Sequence, residues 1–301
     1  MLSRLICKRI VYVLTGILLL CVSHAQQVAA EPLQAYGRDV FRIVYTLEGE
    51  DAVPGTDENK NGLPDLVEDI ATQLLAAREA FTFLGFPDPL QAARYTGTTG
   101  IMVIVRARAT MHGLHGRAFS RASGARHFPG KWLKLHISTD TKPSRNPTPA
   151  HEYFHLIQYG QSRFMNGWYL EGMARWAEDV ISKVFVASGT GVDTDSAVHE
   201  TYNAAKKLWH PLGKACAGTV RLPQFLARNY HYVDGTAVFK DTVINGPRAM
   251  VEMLACLNGK EGEAAEALGG VGNWRKNGQR SPLNTPFILD CVHEIYRQCA
   301  H

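Results

Sequence analysis

The segment HEYFH, from His151 to His155, carries the residue types best suited to chemistry in this chain. Two histidines four positions apart lie on one face of a helix, where both imidazoles can reach a single metal ion. Glu152, next to the first histidine, then stands beside a water on that ion. Such a group generates a hydroxide-like nucleophile at neutral pH. The spacing therefore predicts Zn²⁺ ligation by the two histidines and general-base catalysis by Glu152. The alternative is a helix that carries this pattern by chance.

The third metal ligand must come from elsewhere, because a hydrolytic zinc site takes three protein ligands and keeps a fourth position for water. The metzincin arrangement is excluded, since it needs glycine and histidine where this chain has Gln158 and Gln161. A second helical pattern begins at Trp168. Glu171 in that helix is the natural third ligand. Glu178, seven residues further on, is expected to hydrogen-bond a ligating histidine, or else to be an ordinary solvated carboxylate.

HEYFH followed by WYLEGMARWAE resembles the gluzincin metallopeptidases, especially aminopeptidases in which HExxH precedes a W-L-x-E-G-x-A segment. This resemblance covers about 30 residues and implies that Glu171 is the third zinc ligand. The segment from Tyr232 to Phe239 resembles a helix start of the same enzymes, whose tyrosine hydroxyl hydrogen-bonds the developing oxyanion. By this resemblance Tyr232 is the candidate donor. Tyr230 and His231 are its rivals, and a tyrosine that only packs is the alternative.

Residues 57–68 fit the twelve-position calcium loop D-x-N-x-N-G-x-x-D-x-x-E. The spacing predicts side-chain and backbone oxygen ligands for Ca²⁺. These ligands are Asp57, Asn59, Asn61, the carbonyl of Leu63, Asp65 and Glu68. A strand pattern precedes the loop and a helix pattern follows it, so we expect a solitary structural site and not a paired EF-hand. The alternative is a polar turn that caps the helix without an ion.

The order of these segments also resembles a group of secreted bacterial metalloproteases. They begin with a strand, continue with an N-G-x-P-D-x-V-E loop and a helix, and carry HExxH with a downstream E-G-x-A glutamate. This resemblance spans most of the chain and implies an α+β, zincin-like fold. We expect an N-terminal mixed-sheet lobe with the calcium loop and active-site helix (31–160) and a mainly helical lobe (161–301), which together form one catalytic unit.

Hydrophobic patterning predicts the elements that position the site. Strands are expected at 40–47, 101–107 and 131–138, and helices at 64–84 and from Thr148 onward. In zincins the strand before the active-site helix lies at the sheet edge and pairs with substrate, which implies this role for residues 132–138. The stretch 112–127 is rich in glycine, histidine and arginine and is expected to be a loop near the cleft.

The N-terminus reads as a signal peptide over residues 1–30, with cleavage after 25 or 30. Its three basic residues precede a twelve-residue apolar stretch that is short for a bilayer span, although an uncleaved anchor is the alternative. Removal of three basic residues and no acid takes the formal charge from +4 to +1. We therefore expect a secreted or periplasmic protein that binds neither nucleic acid nor, after signal cleavage, a membrane.

Cysteine usage fits an oxidising compartment, because four cysteines lie beyond the signal segment. Residues 287–299 read as one helix, in which eight residues separate the Cα atoms of Cys291 and Cys299 by about 12 Å. That distance is too long for a disulfide, so each is expected to pair with either Cys216 or Cys256. Buried free thiols or a structural metal are the alternatives.

Together these patterns favour a secreted zinc-dependent hydrolase, a gluzincin-like peptidase that acts on peptide or protein substrates. One alternative is a catalytically inactive extracellular binding protein stabilised by zinc and calcium. Another is a calcium-dependent module in which HExxH is accidental. The sequence leaves open the cleavage specificity, endopeptidase or exopeptidase action, the disulfide pairing and the oligomeric state.

Overall fold

The computed structural model describes residues 33–182, 191–216, 218–268, 274 and 276–299. The signal-peptide prediction for residues 1–30 lies outside the described residues. The chain from Leu33 to His301 clusters into one compact unit. Within the described ranges, no helix combines the length and the apolar character that crossing a bilayer requires.

A five-stranded mixed sheet in the order β1-β2-β3-β5-β4 supports the first half of the protein. Its strands are Gln34–Arg38 (β1), Phe41–Tyr45 (β2), Thr98–Arg106 (β3), Gly116–Ala125 (β4) and Phe128–Ser138 (β5). The three inner strands β2, β3 and β5 run parallel, whereas the outer strands β1 and β4 are each antiparallel to their neighbour. The fold is thus α+β.

The helices follow the predicted order. They are Asp65–Phe83 (α1), Thr148–Gln161 (α2), Gly167–Ala177 (α3), Thr194–Ala197 (α4), His210–Ala215 (α5), Gln224–Asn229 (α6), Pro247–Ala267 (α7), Lys276–Gln279 (α8) and Thr285–Cys299 (α9). A π-helical segment, Ala205–Trp209, runs directly into α5. A short antiparallel pair, Thr219–Arg221 (β6) with Val243–Asn245 (β7), lies between the later helices.

The core between the sheet and the helices fixes the position of α2. Apolar side chains of β3 and β5 are fully buried in this core because alternate residues of each strand share a face. They are Ile101, Val103, Val105, Leu133, Leu135 and Ile137. On α2, Phe154 lies 5.2 Å from both Phe81 and Phe86 by ring centroids and 6.4 Å from Trp176. This aromatic cluster joins α1, α2 and α3.

Two disulfides attach the C-terminal helix, Cys216–Cys299 and Cys256–Cys291. Each cysteine of α9 therefore pairs with a cysteine outside it, as the helical spacing predicts. Disulfides persist in oxidising surroundings, so the bridges suggest an extracellular compartment.

Two predictions about the sheet are wrong. Most of the stretch expected as a loop at 112–127 is strand β4, which pairs with β5 from Gly116 to Ala125. Consequently β5 is not the edge strand, because β4 lies outside it. Composition concealed β4, since its residues are mostly small or charged and none of them is buried. This segment is a strand because it pairs with β5, and the preferences of its own residues do not indicate that pairing.

Candidate metal site and cleft

Three side chains from two helices converge on one point. Glu171 of α3 places Oε2 3.2 Å from His151 Nε2 and Oε1 3.5 Å from His155 Nε2 of α2. These ligand atoms all lie within 4.8 Å of one another, and among the described residues they are the one such group of three or more that fits a metal ion. The two rings are perpendicular, with centroids 4.7 Å apart. Two imidazoles and one carboxylate are a known donor set for catalytic metal sites.

The other ring nitrogens of both histidines are also occupied. Glu178 Oε1 lies 2.8 Å from His151 Nδ1, and Gln158 Oε1 lies 2.7 Å from His155 Nδ1. When a cation is bound, Nδ1–H of each ring can donate to these oxygens, which leaves both Nε2 lone pairs free to bind the cation. Gln158 is itself held, because its amide nitrogen donates to the Leu170 carbonyl at 3.2 Å. Such outer hydrogen bonds fix the tautomer and orientation of metal-binding histidines, so the geometry fits a bound cation.

The electrostatics of the cluster favour positive charge. Burial acts to lower the pKa of His151, but hydrogen bonds to Glu171 and Glu178 outweigh it and raise the pKa to about 10. Burial acts to raise the pKa of Glu171, yet its bonds to His151 and His155 hold that pKa well below its usual range. The site therefore keeps an ionised carboxylate beside the imidazoles, as a cation site requires.

Glu152 lies against the edge strand. Its side chain is 6 % exposed, and burial raises the pKa of its carboxyl group, while the backbone N–H of Ala118 in β4 donates to it. The approach is very close, because a Cβ on Gly116 would lie 2.5 Å from Glu152 Oε1 and 2.6 Å from Thr148 Cγ2. Only glycine at position 116 leaves room for this carboxylate, which makes Gly116 part of the site.

Gln73 of α1 holds the start of α2. Its side chain is fully buried; Oε1 accepts from Ala150 N–H at 3.1 Å, and Nε2 donates to the carbonyls of Pro143 and Asn146. The hydroxyl of Tyr232 lies 2.7 Å from the same Nε2.

Tyr232 is 3 % exposed and is not among the residues that line the cleft described below. The structure therefore does not bring the predicted oxyanion donor to the metal ligands. Its hydroxyl partner is a buried amide that supports α2.

Gly172, next to Glu171, lets α3 pack closely. A Cβ there would lie 2.6 Å from Trp209 Nε1 and 2.9 Å from Ala204 Cβ. The Trp209 indole donates to the Trp168 carbonyl at 3.2 Å, which locks the π-helical segment onto the start of α3. This contact explains the glycine of the E-G-x-A pattern, because a larger residue would displace the helix that carries Glu171.

An open cleft of about 700 Å³ lies over the cluster. His151, Glu152, His155 and Glu171 all line it, and β4 contributes the run from Gly116 to Ser120. Since β4 ends the sheet, its outer edge has no strand partner among the described residues. Tyr159 and Tyr202 also line the cleft, and the guanidinium of Arg175 lies 4.7 Å from the centroid of the Tyr202 ring.

The predicted calcium loop folds tightly ahead of α1. The Asp57 carboxylate accepts from the N–H groups of Asn61 and Gly62, and Gly62 takes a left-handed conformation with φ 86°. The carboxamide nitrogens of Asn59 and Asn61 each donate to Glu68 at 2.8 Å. The remaining polar contacts are also local: Asp65 Oδ1 accepts from Glu58 N–H, and Leu63 N–H donates to Asn61 Oδ1. The backbone therefore makes the turn expected of a calcium loop, while the side-chain oxygens accept hydrogen bonds from N–H groups of the same loop.

Comparison with known proteins finds no match: no protein-family model, no curated protein and no solved structure is significantly similar to this chain. The site is therefore interpreted from its own geometry. That geometry includes three residues which sequence reasoning missed, Gln158, Gln73 and Gly116. Gln158 lies three positions after His155, so helical spacing was a signal for it. Gln73 and Gly116 contact residues of α2 that are distant in the sequence, and no local pattern indicates those contacts.

Proposed function

We propose that this protein is a secreted zinc-dependent hydrolase that cleaves peptide bonds, with a zincin-like fold and a gluzincin-like ligand set. The observation that carries the proposal is the convergence of His151, His155 and Glu171 beside Glu152 in an open cleft. A buried structural metal site would be closed to solvent, whereas these ligands line an open cavity. The two disulfides support a secreted or periplasmic location.

His151, His155 and Glu171 would hold the zinc ion. When bound, zinc lowers the pKa of a water molecule and polarises a substrate carbonyl. Glu152 then takes the proton of the attacking water and delivers it to the leaving amine. Burial raises the pKa of Glu152, which makes its carboxylate a stronger base than one in water. The Ala118 N–H and the close backbone of Gly116 hold that carboxylate in place.

The edge of β4 supports a peptide as the substrate. An extended peptide can add to an exposed strand through backbone hydrogen bonds, and β4 presents its outer edge along the same cleft as Glu152. This assigns to β4 the pairing role that resemblance gave to residues 132–138. Tyr202, 53 % exposed and in the cleft, takes the place of Tyr232 as the candidate hydroxyl donor to the transition state.

The test is hydrolysis of casein and of a quenched-peptide library by purified protein with measured zinc content. Glu152→Gln should keep stoichiometric zinc and lose nearly all turnover, because it keeps the shape of the side chain and removes the base. Glu263→Gln is the control, a glutamate with a 61 % exposed side chain on α7. Stoichiometric zinc with no Glu152-dependent hydrolysis would instead identify an inactive zinc-binding protein, and calcium without zinc would identify an accidental HExxH.

We also propose that the loop at residues 57–68 binds a structural Ca²⁺ ion. Its sequence matches every ligand position, and Asp57 and Gly62 already form the turn that calcium loops use. Binding requires the Asn59 and Asn61 carboxamides, whose nitrogens donate to Glu68, to rotate so that their oxygens face the cation that Glu68 would also bind. Calcium should therefore raise the melting temperature of the protein, and Glu68→Gln should remove that increase. An equal increase in the variant would refute this site.

A further inference from the structure

Positive side chains dominate the part of the cleft that lies outside the metal site. The acidic residues in its lining are Glu152, Glu171 and Glu178, and all three act at the metal site. Four exposed cations line the rest: Arg117, Arg145, Lys276 and Arg280. None of the four forms an ion pair with any residue that the structure describes. Arg117 lies 5.0 Å from the centroid of the Phe119 ring, and Arg145 interacts electrostatically with Asp234, so their charge is only partly balanced and can attract a ligand.

A second cavity, of about 400 Å³, lies beside the cleft and repeats this charge. The two cavities share Ser120, Tyr159 and Met165 in their linings, so they are neighbours, with Ser120 of β4 between them. Among the residues that the structure describes, the lining of the second cavity contains no acidic side chain and includes the exposed cations Arg121 and Lys131. Neither of these makes an ion pair within the described part of the chain. Two further arginines there, Arg94 and Arg163, share one ion-pair partner, Glu261.

This concentration of charge is local. The whole chain has 32 basic and 28 acidic side chains, a formal charge of +4, so a generally basic surface does not account for it. Arg117 lines the first cavity and Arg121 the second, four residues apart on the edge strand beside Glu152. The pairing of β4 with β5 shifts register between Phe119 and Ser123, so β4 is bulged there. Both arginines nevertheless lie on the strand with which an extended chain would pair.

We propose that this basic trough, defined by Arg117, Arg121, Lys131, Arg145, Lys276 and Arg280, selects extended peptide segments rich in aspartate and glutamate around the scissile bond. The assignment rests on the proposed peptidase function and names its substrate class. Unpaired cations in a concave surface attract acidic partners and suppress basic ones. The outer edge of β4 has no strand partner among the described residues. It favours a polypeptide over an anionic polysaccharide, because only a polypeptide can continue the ladder of backbone hydrogen bonds.

Binding tests the proposal without depending on turnover. Fluorescein-labelled ten-residue peptides that differ only in carrying Glu, Gln or Lys are titrated with Glu152→Gln protein and followed by anisotropy. At low ionic strength the Glu peptide should bind at least about tenfold more tightly than the Gln peptide, and salt should reduce this advantage. Combining Arg117→Gln with Arg121→Gln should abolish the preference. Arg126→Gln is the matched control, an exposed arginine in the β4–β5 turn outside both cavities.

Equal binding of the Glu and Gln peptides would overturn the proposal, as would an equal loss of preference in Arg126→Gln. Binding of a sulfated polysaccharide without binding of the Glu peptide would overturn the assignment to peptides. Hydrolysis is measured separately with wild-type protein and quenched versions of the same peptides. Acid-selective binding without hydrolysis contradicts the peptidase function and leaves the trough intact, whereas hydrolysis of all three peptides at equal rates contradicts only the trough.

Discussion

Gly116→Ala is the sharpest test of how β4 and the active-site helix fit together. The new Cβ would lie 2.5 Å from Glu152 Oε1 and 2.6 Å from both Glu152 Cγ and Thr148 Cγ2. An ordinary contact begins near 3.4 Å, so the carboxylate or the strand must move by about 1 Å. A displacement of this size at a reacting group costs about 100-fold in rate. We therefore expect kcat/KM to fall about 100-fold, or about 2.7 kcal/mol of transition-state stabilisation.

The assay compares peptide hydrolysis, zinc content and unfolding of wild type, Gly116→Ala and Gly124→Ala. Gly124 lies on the same strand, and a Cβ there would meet nothing within 4 Å, so its alanine variant should retain wild-type activity. Zinc content should stay stoichiometric in Gly116→Ala because the substitution touches no metal ligand. The free energy of unfolding should fall by about 1–3 kcal/mol from overpacking. A Gly116→Ala protein within threefold of wild-type activity and equally stable would refute this account of Glu152.

Three other perturbations address the supports of the site and the fold. Glu178→Gln removes the charge that faces His151 Nδ1, so zinc affinity measured against a chromogenic chelator should fall about 10- to 100-fold; unchanged affinity would contradict the role. Burial and nearby cations lower the pKa of His136 to about 4, so the unfolded chain binds a proton that the folded protein excludes. The free energy of unfolding should therefore decrease by about 2 kcal/mol as pH falls from 6.5 to 4, and in urea titrations His136→Gln should flatten that decrease. Replacing Cys216 and Cys299 together by serine should cost about 2–4 kcal/mol in the same titrations, and no loss would argue against this bridge.

The sequence predicts those parts of the site that depend on short intervals between residues in the same or neighbouring helices. The four-residue interval between His151 and His155 defines a helix face, and Glu171 follows within the next helical pattern. Helix geometry excludes one of the possible disulfide pairings, because the rise of a helix places Cys291 too far from Cys299 for a bond between them. The structure then distinguishes the two pairings that remained.

The parts that sequence could not predict depend on contacts between distant segments. Strand β4 has no buried apolar residue, so hydrophobic alternation gives no signal for it, although it forms one wall of the cleft. Tyr232 matches a pattern of tyrosine before glycine, yet its partner is Gln73, 159 residues earlier in the chain. A motif records residue types in order, and it carries no information about which buried amide a hydroxyl will meet after folding.

The attachment of α9 at its middle, through Cys291, and at its last residue, Cys299, has a consequence for the lifetime of the protein. Proteolysis of a folded chain usually starts where one element unfolds locally and exposes its backbone to a protease. Here Cys291 and Cys299 join α9 to two separate parts of the molecule, at Cys256 in α7 and at Cys216 just after α5. Separation of α9 from the fold is therefore limited by two covalent bonds, and a thiol reductant should shorten the survival of the protein in a protease digest.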